Sequence, residues 1–208
     1  LKSGHFDLLK NESTFGVNRI NLIFDDTTWR PTHHVLFDRS KGTTYASDVS
    51  MCLSEGCTCL LRADIPRGGE AIYWFQTYGD KFIPSPECTH VDVEHNPTDR
   101  WHDAPPICKQ GGSIPAAIQW AVQLGYNPIY LIGCDMGLKA HSTGNHFTPR
   151  YADVDAYSEK AAALATRNLL HNHSIAKKEC ARRGVEIYNA GIGGSLDLYK
   201  RVEFKSLF

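Results

Sequence analysis

The stretch SIPAAIQWAVQLGYNPIYLIGCDM, residues 113–136, carries the decisive pattern of the chain. Ser113 can cap a helix, Pro115 fits its first turn, and Ile114, Ala117, Ile118, Ala121, Val122 and Leu124 recur at helical spacing as an apolar stripe. The spacing predicts a helix over 113–124. Gly125 to Pro128 then turn the chain into Ile129–Ile132, a continuous apolar run that only a strand covered on both faces can hide. Further on, from about Asp153 to Arg183, the sequence has no Gly or Pro and is rich in Ala, Leu, Lys and Glu. That predicts a longer helix closed by Gly184, with room for a break in its polar stretch 169–174. Val185–Tyr188 reads as the next strand. On the other side, Thr14–Val17, His33–Phe37, Thr58–Leu61 and Ala71–Phe75 are short apolar or β-branched runs, most of them near turn residues. Helix, strand, helix, strand is the order of a mostly parallel sheet with helices on both faces, because parallel neighbours need crossover connections. The expected class is α/β, and a length of 208 residues argues for one domain over 1–208.

Composition narrows the function. The chain is 42% apolar and 22% charged with a mean hydropathy of -0.34, values of an ordinary globular protein rather than a disordered one. Lys plus Arg at 22 against Asp plus Glu at 23 gives a net charge of -1, so no overall field favours a polyanion, and nucleic acid is not expected as a partner. There is no apolar run long enough for a membrane span and no export-signal pattern at the start, so a cytoplasmic location is expected. The cysteine count of 7 is odd, which favours reduced thiols. The C-x4-C-x-C spacing of Cys52, Cys57 and Cys59 departs from zinc knuckles, and Cys108, Cys134 and Cys180 lie in or beside apolar stretches, so core packing is expected for the thiols.

In a parallel α/β sheet the ligand crevice lies beyond the carboxyl ends of the strands. That rule selects Gly16, Asn18 and Arg19; Asp38 and Arg39; Gly133, Cys134 and Asp135; and Asn189 with the glycines of AGIGG. Asp38 and Asp135 are candidates to hold Mg2+ against a diphosphate or to serve as acid and base, although an Asp closing a strand is equally a turn residue. Asn18 and Asn189 can hydrogen-bond a base or ribose, or simply form turns. The GIGG at 191–194 has the wrong spacing for a dinucleotide fingerprint and reads as a mobile loop. The loop 137–151 is the densest in polar chemistry, with His141, Ser142, Asn145, His146, Arg150 and Tyr151, and a loop of that length after a strand suits a lid or substrate platform. His33 and His34 alternate to opposite faces of their strand, so they cannot jointly grip a metal.

Four segments carry a resemblance: TFGVNRINLIFDDTTWRPTHHVLFDR at 14–39, the block 110–136, the NHF at 145–147 and EIYNAGIGGSLDLYKRVEFKSLF at 186–208. They resemble the 6-hydroxymethylpterin diphosphokinase MptE-like family, most of whose members have no established substrate. Through it the chain is similar to the bacterial sialyltransferases of lipooligosaccharide, which share an asparagine after the second strand, a serine-capped helix ending in LGY, and an I-Y-L-x-G-x-D strand. The resemblance spans most of the chain, with 41–103 the least matched. It implies a single Rossmann-like domain in which Asn18 and Ser113 contact a nucleotide; Gly112 and Gly133 join them as nucleotide-binding candidates, and Asn145, Arg150 and Asn189 are the candidates to contact substrate. It also implies that this sequence either lacks or does not show the family's first strand and its G-x-G-P-S phosphate loop. Two positions depart from the transferases: Arg150 stands where they carry their histidine base, and Gln110 where they carry an arginine.

Three functions follow as expectations. The first is a glycosyltransferase using a nucleotide-activated sugar in surface polysaccharide synthesis, with His146, Asp135 and Asp38 handling protons. The second is a diphosphokinase moving pyrophosphate from ATP to a hydroxymethyl group, with Mg2+ held by Asp38 and Asp135. The third is a nucleotide-binding module without catalysis. Only the second demands a metal. In each case the partner is a nucleotide or nucleotide sugar, joined in the transferases by a small-molecule or glycan acceptor, and a homo-oligomer is left open.

Overall fold

The computed structural model describes residues 3–37, 46–62, 88–91, 93–94, 101, 107–108, 113–136, 146–151 and 158–208. They show a mixed α/β chain in which every described strand pairing is parallel. The chain divides into two compact units, Leu1–Ala117 and Ile118–Phe208, with the division inside a helix.

In the first unit β1 (Phe15–Val17), β2 (His33–Leu36), β3 (Thr58–Arg62) and β4 (Cys88–Val91) form a sheet in that order. Val17 lies beside Val35, and Leu36 beside Leu61. All of β2 is buried, as expected of an inner strand flanked on both sides. Helix α1 (Ala46–Ser54) connects β2 to β3, the crossover a parallel pair requires. Its Val49 and Cys52 pack with Phe24, Leu36, Cys57, Cys59 and Leu61, so the three clustered cysteines are core residues. Val93–Glu94 (β5) and Ile107–Cys108 (β6) form a separate parallel pair. The run Ala71–Phe75 lies outside the described residues.

Helix α2 spans Ser113–Gln123, as its spacing predicts, but its burial differs from a stripe. Ala116, Ala117, Ile118, Gln119, Trp120 and Ala121 are consecutive and all buried. A helix covered all round needs no polar face, and the small alanines conceal that in a one-sided pattern count.

In the second unit β7 (Ile129–Leu131), β8 (Ile187–Asn189) and β9 (Lys200–Arg201) form a sheet in that order. Here an expectation fails. Among the described residues β7 pairs only with β8, and Tyr130 is 40% exposed while Leu131 is buried, so the run is not a strand hidden on both faces. Tyr130 instead stacks on its register partner Tyr188, with ring centroids 5.5 Å apart. Tyrosine counts as apolar in a run yet keeps a polar tip in water, which is why the run misleads.

Helix α3 (Glu159–Arg182) is unbroken through 169–174 and starts later than expected, where the Ser158 hydroxyl accepts the Ala161 N–H at 3.3 Å. It ends at Gly184, whose φ of +68° lets the Val185 N–H reach back to the Cys180 carbonyl at 2.9 Å. That closure uses Val185, so β8 begins at Ile187 and takes in Asn189.

Candidate functional site

At the carboxyl end of β1, Asn18 leaves the strand with φ +52°, a left-handed conformation that non-glycine residues other than Asn and Asp rarely adopt. Three groups hold it there. Its N–H donates to the Val35 carbonyl at 3.0 Å, its carbonyl accepts from His34 Nε2 at 2.5 Å, and its Oδ1 accepts from the Ser113 hydroxyl at 2.6 Å. The same hydroxyl accepts the Phe37 N–H at 2.9 Å, so Ser113, buried at the head of α2, joins residues 95 and 76 positions away. The backbone N–H of Phe37 can only donate, which leaves the hydroxyl hydrogen available for the Asn18 amide oxygen, the direction the structure shows. No described hydrogen bond engages Asn18 Nδ2. Among the described residues the half-buried amide thus presents its donors outward from the Ser113 contact.

Beside it, Arg19 Nε donates to Asp48 Oδ2 at 3.0 Å and Asn21 Nδ2 to Asp48 Oδ1 at 2.7 Å. Asp48 is buried on α1, and both carboxylate oxygens are engaged. The pair of histidines is buried as well. His33 packs on the Phe15 ring with centroids 4.4 Å apart, while His34 reaches Asn18 on one side and Cys59 Sγ, 3.7 Å from its Nδ1, on the other. Burial lowers the pKa of both rings and, for His34, outweighs the hydrogen bond to Asn18 and the charge of Asp48, which act the other way.

The second unit gathers Gly133, Cys134, Asp135, Asn189 and the AGIGG turn. Asn189 is buried, and both ends of its amide are engaged: Nδ2 donates to the Leu196 carbonyl at 2.9 Å and Oδ1 accepts the Gly191 N–H at 2.9 Å. Its described role is thus to shape the turn. The Asp135 carbonyl accepts the Ser195 N–H at 2.7 Å, and a Cβ at Gly194 would lie 2.4 Å from that oxygen. No side chain fits there, and with φ +71° none would adopt the backbone easily. Arg201 finishes the arrangement by donating to the carbonyls of Gly193 at 2.9 Å and Gly194 at 3.1 Å. The GIGG segment, read from sequence as a mobile loop, is laced to its surroundings by Asp135 and Arg201. Burial and then the Asp135 carboxylate push the Cys134 thiol up to about 12, so it stays protonated near neutrality and is no thiolate nucleophile.

His146 is half-buried and stacks on Tyr151, ring centroids 4.0 Å apart and nearly parallel; Phe147 meets the same ring edge-on. Arg150 is exposed in the short turn Pro149–Tyr151. Asp38, Gly112 and Asn145, with Arg39, Gln110, His141 and Ser142, lie outside the described residues. Of the sequence-selected residues, Asn18 and Ser113 are brought into contact in the first unit, and Gly133, Asp135 and Asn189 gather in the second. Sequence reading missed His34 as a partner of Asn18, Asp48 as the anchor of Arg19, and Arg201 as the clasp of the glycine turn. The one available signal was a histidine inside an apolar strand, which points to the core but names no partner.

Among the described residues no group of His, Cys, Asp and Glu is arranged to hold a metal, and no helix is long and apolar enough to cross a membrane. No family model, curated protein or solved structure matches the chain.

Proposed function

We propose that the chain forms a single Rossmann-like nucleotide-binding domain and acts as a cytoplasmic glycosyltransferase, moving a sugar from a nucleotide-activated donor to a glycan or small-molecule acceptor. What carries the reading is the Asn18 amide at the carboxyl end of a parallel strand, locked donor-side free by Ser113. Bases, riboses and phosphates all offer acceptor oxygens to such a donor, and a fixed amide loses little freedom on binding them. The resemblance assigns these two positions to the nucleotide, and that assignment is part of the proposal. So is the assignment of proton transfer to His146, with Asp135 and Asp38 as its carboxylate candidates.

The test is a thermal-shift panel of nucleotides and nucleotide sugars with and without Mg2+. A nucleotide at about 100 times its dissociation constant stabilises by about 2.7 kcal/mol. A response to a nucleotide sugar that ignores Mg2+ supports the transferase, whereas a response to ATP that requires Mg2+ turns the reading to pyrophosphoryl transfer. Asn18→Asp is expected to weaken the responding nucleotide by about tenfold or more, since a carboxylate oxygen replaces the donor and faces an acceptor. Undiminished binding by that variant would remove Asn18 from the site.

A further inference from the structure

We infer that His34 is a positioning residue for the Asn18 amide: its ring, set between the Asn18 carbonyl and the Cys59 sulfur, holds that carbonyl and with it the backbone that aims the side chain. The inference rests on the nucleotide reading of Asn18. His34 has no exposed surface and sits on β2, the strand between β1 and β3 in the sheet. Its Nε2 lies 2.5 Å from the Asn18 carbonyl oxygen. A carbonyl only accepts, so Nε2 carries the hydrogen, and in the neutral ring Nδ1 is bare. The Cys59 thiol, 3.7 Å from that bare nitrogen and 3.9 Å from the Cys57 carbonyl, shares its one hydrogen between these two acceptors. The result is a directed hydrogen bond from His34 to the Asn18 carbonyl, backed by the Cys59 thiol, that meets a second chain, Phe37 to Ser113 to Asn18. The two converge on one residue in a left-handed conformation.

The physical need for the ring is local. An asparagine at positive φ returns to ordinary backbone angles unless its flanking peptides are held. Val35 holds the N–H, and His34 is the group that holds the carbonyl. If the carbonyl rotates, Cα and the whole amide rotate with it, and the Ser113 bond is strained or lost. A change at a fully buried ring that touches no ligand would then appear as a change in binding.

His34→Leu removes the donor at similar volume, and His34→Gln keeps an N–H donor. With whichever of CMP, UMP, AMP and GMP gives the largest thermal shift, His34→Leu is expected to weaken binding by about tenfold and His34→Gln by no more than about threefold. In an Asn18→Ala background His34→Leu should weaken binding no further, because the residue through which it acts is gone. Equal weakening in both backgrounds would overturn the inference and leave His34 a general core residue. Two ligand-free readouts keep it testable if no nucleotide binds and the proposed function falls. The wild-type nitrogen spectrum should show His34 protonated at Nε2, and the side-chain NH2 resonances of Asn18 should shift or broaden in His34→Leu. A ring protonated at Nδ1, or Asn18 resonances unchanged in that variant, would each overturn the inference without reference to a ligand.

Discussion

Between about pH 7.5 and about pH 5 His173 alone will lower the melting temperature of the protein by about 4–8 °C, and His173→Phe will remove that part of the fall. His173 lies on α3 with no exposed surface. The Tyr199 hydroxyl donates to the His173 carbonyl at 3.0 Å, so its oxygen must accept from His173 Nδ1, 3.1 Å away. That fixes the neutral ring with its hydrogen on Nδ1, and Nε2 is buried with no hydrogen-bond partner among the described residues. Adding a proton would place a charge and an unpaired donor in the core. Burial accordingly lowers the pKa from 6.5 to about 4. The unfolded chain binds the proton from about pH 6.5 downwards and the folded chain only near pH 4, so stability is full above the first value and declines as pH falls between them. At about 1.4 kcal/mol per unit the whole span is worth about 3 kcal/mol, of which about 2 is lost by pH 5. His33 and His34, whose pKa values are also lowered by burial, add slope of the same sign. Calorimetric melts of both proteins across this range decide the matter, and an unchanged slope in His173→Phe would show that the acid sensitivity resides elsewhere.

His146→Ala will lower turnover by about a hundredfold or more while leaving nucleotide binding nearly unchanged, if His146 is the proton acceptor of the proposed transfer. The measurement is release of free nucleotide from a nucleotide sugar, set beside the thermal shift given by the same donor. A general base acts on the developing charge of the acceptor hydroxyl and contributes little to holding the donor, so rate and binding separate. The stack on Tyr151 limits the ring to a narrow range of orientations, which favours such a role over a loosely held surface histidine. Lost binding with intact turnover would reassign His146 to donor recognition. No effect on either would leave Asp135 and Asp38 as the better candidates.

The arithmetic of periodicity explains why some elements were legible and others were not. β1, β2, β3 and α2 fall where short apolar runs and helical spacing put them, because burial rewards those patterns wherever the chain folds. The Asn18 position was also legible, since the end of a parallel strand follows from the strand itself. The partners of that residue were not. Ser113 is 95 positions away along the chain from Asn18, and His34 is 16 away, so neither contact leaves a local signature.

What the sequence determined by itself is the α/β class, the burial of the cysteines that line the first unit's core, and the strand end at which Asn18 stands, because each follows from local pattern and the cost of exposing apolar surface. Only the tertiary structure decided which way the Asn18 amide faces, that Asn189 is turned inward to shape the glycine turn, and that Tyr130 lies open while its neighbour Leu131 is buried. Hydrogen-bond direction and strand exposure depend on groups brought close from distant parts of the chain, and no window of sequence contains both partners.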